Sequence, residues 1–184
     1  MLTKLAAAVA MGTFAIAGCS ANTADQSASA LAPGSQQGIH TQQDAMFLMM
    51  YAMNNQQVVQ FCRLVPRQAN SEKIKVAAQT ICPVAESKTD QINAAMAEER
   101  ANMSSMDMGP DSYVIHGRQL LDLQDAHGEK FDQAWSAAML DLAKNTTMLA
   151  QGELQFGESQ TSRGVAQTAM AQAAEQTQSL TQAQ

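Results

Sequence analysis

The chain has 184 residues, 46% of them hydrophobic and 15% charged, and its 11 Lys+Arg against 17 Asp+Glu leave a net charge of -6 at pH 7. That length and apolar share allow one domain with a real core, while the acidic balance excludes a nucleic-acid binder, which needs a basic face to neutralise phosphates. Only 4 Pro and 10 Gly are present, too few for a collagenous or Pro-rich chain.

The first segment reads as an export signal. Lys4 supplies a positive charge, Leu5 to Ala17 is an apolar run of small residues, and Ile16-Ala17-Gly18-Cys19 closes it. Such a run is shorter than the roughly 20 apolar residues that a permanent membrane helix needs. Its last four residues resemble a bacterial lipobox, which implies cleavage after Gly18, a signal peptide over residues 1–18, and a diacylglycerol on the Cys19 thiol. Ser20, not Asp, follows Cys19, and in a Gram-negative cell the resemblance then implies the outer membrane, with the domain facing the periplasm. Loss of Lys4 leaves the mature chain more acidic, so the domain itself should not adhere to anionic lipid.

Residues 19–41 are expected to be the lipidated cysteine and a tether. Ser, Ala, Gln, Asn and Gly dominate, with one Pro33-Gly34 pair, and so little apolar surface cannot offset the entropy of ordering. About 20 flexible residues have an r.m.s. reach of roughly 25 Å.

From residue 42 onward the spacing becomes helical. Phe47, Met50, Asn54, Val58, Phe61 and Val65 recur every three or four residues, predicting a helix that ends at Pro66. Ser71 and Glu72 then form a helix start, and Ile74, Ala77, Ile81, Val84, Ile92 and Ala95 carry a second stripe to about Asn102, with a kink or break expected at Pro83. A loop from Met103 to Pro110 leads to a shorter helix over residues 113–126, with His127-Gly128 as its C-terminal cap and the glycine left-handed. Phe131, Trp135, Ala138, Leu142, Asn145, Leu149, Gly152 and Phe156 alternate steps of four and three, the pattern of a bundle helix. Trp135 should be buried with its N–H on a polar partner. Val165, Ala169, Ala173 and Leu180 mark a weaker, fraying last helix. No sustained strand alternation occurs, so the expected class is all-α, an up-and-down four-helix bundle over residues 42–184 with an extra C-terminal helix.

Asp44-Ala45-Met46-Phe47-Leu48, the stretch from Ser71 to Ala78, and above all the stretch from His127 through Phe131, Asp132 and Trp135 to Asp141 are similar to the ferritin-like bundles of domain of unknown function 4142 and its relative 305. The resemblance spans most of the mature domain. It implies a secreted or lipid-anchored four-helix bundle with envelope or metal-related roles. The histidines that the family sets after these stretches are missing: Asp141 is followed by Leu142, and the second helix reads Pro83-Val84-Ala85-Glu86. A ferritin-like di-metal site uses Glu-x-x-His pairs, and the chain has none. Leu142 on the core stripe instead puts hydrocarbon at the centre.

Other chemistry is sparse. His40, His116 and His127 have no Ser, Cys or Asp partner at local spacing, and there is no phosphate-cradling or dinucleotide motif. Asp132 is either a site carboxylate or an acid favouring its helix dipole, and the second use is the commoner. Cys62 and Cys82 are an even pair in an exported domain, which favours a disulfide. In a straight hairpin centred at Gln68 the two are offset by about 12 Å, so the bond needs a shift, which a break at Pro83 supplies.

The 13 methionines are unusual. Met46, Met49, Met50 and Met53 lie at helical spacing and are expected in the core, where Met fills gaps. Met103, Met106 and Met108 on the loop, with His116 as a further donor, are candidate soft ligands for Cu(I). The expected function is therefore a non-enzymatic envelope lipoprotein without cofactor, held to the membrane by the lipid on Cys19, presenting a Gln/Asn-rich surface to an envelope protein partner and binding no nucleic acid. The alternative is a periplasmic Cu(I)-binding protein using the loop.

Overall fold

The computed structural model describes residues 41–102 and 117–184, and every element there is a helix. The signal segment, the tether with Cys19 and His40, and the candidate ligands Met103, Met106, Met108 and His116 lie outside the described residues. The elements are α1 (Gln42–Cys62), α2 (Val65–Gln68), α3 (Glu72–Asn102), α4 (Gly117–Asp125), α5 (Glu129–Phe156) and α6 (Gln160–Ala183). Among the described residues, no helix is long and apolar enough to cross a membrane.

Helix α1 starts at a capping box. Thr41 takes the Asp44 N–H on its hydroxyl while the Asp44 carboxylate accepts the Thr41 N–H, which satisfies donors that a helix start leaves without partners. The helix ends at Cys62, ahead of the expected stop. Pro66 opens the single turn α2 instead, since proline's missing N–H is no loss at a first turn. Helix α3 runs through Pro83 without the expected break; Pro83 is exposed, so its ring faces solvent, and only its own ladder N–H is lost.

The four long helices form a bundle whose side-chain bonds give their directions. Asn55 of α1 donates to Ala85 O, and Cys62 bonds Cys82, so α1 and α3 are antiparallel. Trp135 of α5 meets Phe61, and Asn54 meets Leu142 and Thr146, so α5 also runs against α1. Gln176 and Arg163 of α6 donate to Met139 O and Leu154 O of α5, and Ser162 donates to Glu99 of α3 while Ser179 lies by Thr80, so α6 is antiparallel to both α5 and α3. Helices α3 and α5 therefore run in the same direction, and α1 packs closely against both. The expected simple up-and-down order is corrected: α3 ends at the Glu99 end, α5 begins at the other, and the chain changes ends between them. Helix α6 is likewise no fraying extra. Leu180, Ala166 and Ala169 are wholly buried, because small alanines let its backbone approach α5 closely.

The core falls in two clusters. One surrounds Phe61, Ile81, Phe131, Trp135, Leu142 and Leu180 with the disulfide; the other surrounds Phe47, Leu48, Tyr51, Ile92 and Ala166. Between them the interior is polar in part. Asn54, Asn55 and Gln176 are buried and donate to carbonyls of neighbouring helices, so hydrocarbon at Leu142 sits beside amides. Trp135 is fully buried and donates its indole N–H to Phe61 O at 3.2 Å, as the sequence predicts.

One stripe and one cap shift from expectation. On α5 the buried line follows Phe131, Trp135, Ala138 and Leu142, then continues through Thr146, Ala150 and Glu153, leaving Phe156 exposed. A strict heptad drifts by about 20° per repeat on a straight helix, and over this length the drift changes the face. Gly128 has φ +62 as expected of a left-handed glycine, but with ψ −136 it opens α5 rather than closing α4, and its N–H donates to Gln68 O.

Candidate functional site

At the end of the bundle where α1 begins, three helices each contribute a buried acid: Asp44 from α1, Glu99 from α3 and Glu153 from α5. Asp44 is engaged on both oxygens. One carboxylate oxygen accepts the Thr41 N–H and hydroxyl, both at 2.6 Å, and the other accepts the N–H groups of Glu158 and Ser159, both at 2.9 Å. An acid in the first turn of α1 thus holds the start of α6. Ser159 caps α6 by accepting the Ser162 N–H, and both serine hydroxyls donate to the same oxygen of Glu99, at 2.5 Å and 2.8 Å.

Glu153 completes the group, and its side chain has no exposure to solvent. Gly157 lies against it so closely that a Cβ there would stand 2.1 Å from the carboxyl oxygen, so only glycine fits. Neither Glu153 oxygen meets a donor, and as a carboxylic acid it becomes the donor itself, toward Asp44. Burial first, then the hydrogen bond to Asp44 and the charges of Asp44 and Glu99, push Glu153 up to about 8 from the ordinary 4.5, against the opposing pull of Arg163. Burial alone would raise Asp44 as well, but the hydrogen bonds from Thr41, Ser159 and Glu153 outweigh it and hold Asp44 below 3.8. The pair therefore keeps one proton near neutral pH. Arg163 is anchored beside it, donating to Leu154 O and Gly157 O and closing the end of α5.

The opposite end repeats this device. Asp132, in the first turn of α5, is buried and accepts the N–H groups of Asn70 and Ser71, at 3.2 Å and 2.8 Å, immediately ahead of α3. Both its carboxylate oxygens accept backbone N–H groups ahead of α3, so an acid in the first turn of α5 holds the start of a neighbouring helix, a use that neither expectation named. His127 is exposed between α4 and α5. Cys62 and Cys82 form the expected disulfide, with Cα atoms 5.7 Å apart. The expected offset vanishes because the hairpin apex lies at the start of α3, not at Gln68: residues 63–71, with the turn of α2, climb as far as the first ten residues of α3.

The methionines of α1 are not in the core. Met46 and Met50 are 48% and 38% exposed, and Met49 and Met53 are half-buried. The inward face of α1 is taken by Phe47, Leu48, Tyr51, Asn54, Asn55 and Val58. On α5 Met148 is 54% exposed. Met50, Met53 and Met148 line one open groove of about 430 Å³ between α1 and α5.

Comparison of the chain with protein-family models, curated proteins and solved structures finds no match. Among the described residues no group of three or more His, Cys, Asp or Glu is arranged to hold a metal ion. The buried acids bind helix starts and one proton, and the larger clefts are lined by other residues.

Sequence reasoning passed over Asp44, Glu99 and Glu153. Three signals were present. Asp44 stands three residues after Thr41, the spacing of a capping box, and Glu153 falls on the buried line of α5 once the period is taken as 3.6 rather than 3.5. Glu99 continues the second stripe four residues after Ala95.

Proposed function

We propose that this chain is a non-enzymatic cell-envelope lipoprotein: a helical bundle anchored through a lipid on Cys19, lifted from the outer membrane by the tether, and offering its Gln/Asn-rich surface to an envelope protein partner. The observation that carries the reading is Ile16-Ala17-Gly18-Cys19 after a short apolar run, followed by a polar spacer up to the capped start of α1 at Thr41. The engaged state of the buried polar groups supports a structural rather than catalytic use of them. Asp44, Asp132 and Glu99 each accept hydrogen bonds from helix starts or their serines.

The relationship to the ferritin-like bundles of domain of unknown function 4142 belongs to the same proposal. Support comes from the parallel α3 and α5, because a four-helix bundle with one long crossover is the ferritin-like arrangement. A second reading, periplasmic Cu(I) handling through Met103, Met106, Met108 and His116, rests on their spacing in the sequence and on the number of methionines.

Cys19→Ala tests the anchor. The variant should leave the membrane pellet and appear in the soluble periplasmic fraction with its helical content unchanged. Retention of the variant in carbonate-washed membranes would refute lipid anchoring at Cys19. Metal analysis of protein purified from copper-supplemented cells, with and without the three loop methionines, tests the second reading.

A further inference from the structure

Beyond the lipid-anchored reading, and independent of it, we propose that Met50, Met53 and Met148 form a binding site for a soft monovalent metal ion of the Cu(I) class, in the groove between α1 and α5. Met50 and Met53 are three residues apart and so lie on one face of α1. Met148 faces them from α5. The register between the helices is set just beside the groove, where Asn54 donates to Leu142 O and Thr146 Oγ1. Two packed helices therefore present three thioethers to one space, and the unbranched methionine side chain has the freedom to bring its sulfur to a common centre.

Core packing does not account for these residues. Met50 and Met148 are 38% and 54% exposed, and the apolar interior under them is supplied by Phe47, Leu48, Tyr51 and Ala150. An exposed methionine gains little from the hydrophobic effect, and whereas the exposed large apolar side chains other than methionine among the described residues, Val76, Leu121 and Phe156, lie on separate helices, Met50 and Met148 meet in one groove. Met46, one turn before Met50, and Met49, one turn before Met53, extend the sulfur surface along α1.

The ligand chemistry selects the ion. A thioether is neutral and polarisable, suited to Cu(I) and Ag(I), whereas Mg²⁺ and Ca²⁺ call for oxygen donors and Zn²⁺ for imidazole, thiolate or carboxylate. Gln57, Asn145 and Leu149 complete the lining with Asn54, and no charged or imidazole side chain is among them. The groove is open and large enough for an ion to enter without unfolding the bundle. Because no donor titrates, binding should be nearly constant from pH 5 to pH 8, unlike a histidine or thiolate site.

The full chain, with isotope-labelled methionine methyl groups, would be titrated with Ag(I), and its Cu(I) affinity measured anaerobically against a chromophoric Cu(I) chelator. The expected result is a shift of the Met50, Met53 and Met148 methyl signals saturating near one equivalent. The triple variant Met50→Leu, Met53→Leu, Met148→Leu should lose tenfold or more in Cu(I) affinity with unchanged thermal unfolding, while Met103→Leu, Met106→Leu, Met108→Leu keeps the groove shifts. Undisturbed groove methyls, unchanged affinity in the groove variant, or displacement by equimolar Zn(II) would each overturn the proposal. Methyl shifts confined to the loop would do so while leaving the second reading above standing.

Discussion

Trp135 donates its indole N–H to the carbonyl oxygen of Phe61, tying the first turns of α5 to the last turn of α1. Both side chains are buried to within a few per cent, so the bond lies in a dry region between Phe131, Ile81 and Leu180. A buried indole without a partner is costly, and here the last turn of α1 provides a carbonyl, which also accepts the Leu64 N–H, just where the chain leaves the helix.

Trp135→Ala removes the largest buried side chain and should destabilise the bundle by about 3–5 kcal/mol. Trp135→Phe, which keeps most of the packing and loses the bond, should cost less. Urea unfolding read by circular dichroism measures both. The wild-type emission should be blue-shifted and move to the red on unfolding; water-like emission from the native protein would contradict the burial of Trp135.

The acid cluster makes stability depend on pH in a definite direction. Glu153 holds its proton in the fold up to about 8 but releases it near 4.5 when unfolded, so stability falls as pH rises between those values. Asp44 has the opposite sign: its pKa is lowered in the fold, so its contribution is present above 3.8 and is lost as pH falls below that. The bundle should therefore melt at a higher temperature at pH 5 than at pH 8. Glu153→Gln, neutral at every pH and able to donate to Asp44, should flatten that slope. Melting curves of both proteins at pH 5, 6.5 and 8 decide it, and a wild-type midpoint that rises from pH 5 to pH 8 with an unaltered slope in the variant would remove the shared proton from the account.

The disulfide closes a loop across the sequence separation of 20 between Cys62 and Cys82, inside the cluster that holds Trp135. Closing a loop of this size restricts the unfolded chain, and reduction or Cys62→Ser with Cys82→Ser should cost about 3 kcal/mol. The helices should persist in the reduced protein, because α1 and α3 also share Asn55, Ala85 and Ile92. Unfolding in denaturant with and without reductant measures the difference, and equal midpoints would show that the bridge adds nothing.

Periodicity and local chemistry made much of the architecture legible. Phe47, Val58 and Phe61 on α1, Ile74, Ala77 and Ile81 on α3, and Phe131, Trp135 and Leu142 on α5 are all in the core, because the helical repeat leaves these residues one face to bury. The all-helical class follows from the same local reading, whereas the pairing of the cysteines came from their even count in an exported domain. The methionines of α1 were misplaced because spacings of three and four fit two adjacent stripes on one helix. Hydrophobicity alone does not rank Met50 against Tyr51, and contact with three other helices does.

What the sequence determines by itself is short-range: helix starts at Thr41 and Ser159, the interruption around Pro66, and an apolar face on each long helix, all set by interactions within a few turns. What only the tertiary structure decides is which end of one helix meets which end of another. The parallel course of α3 and α5 depends on contacts far apart in the chain. So do the hold of Asp44 on α6, the hold of Asp132 on α3, and the proton kept by Glu153. A carboxyl group's pKa is set by its burial and by the charges brought beside it, and neither exists until the helices have packed.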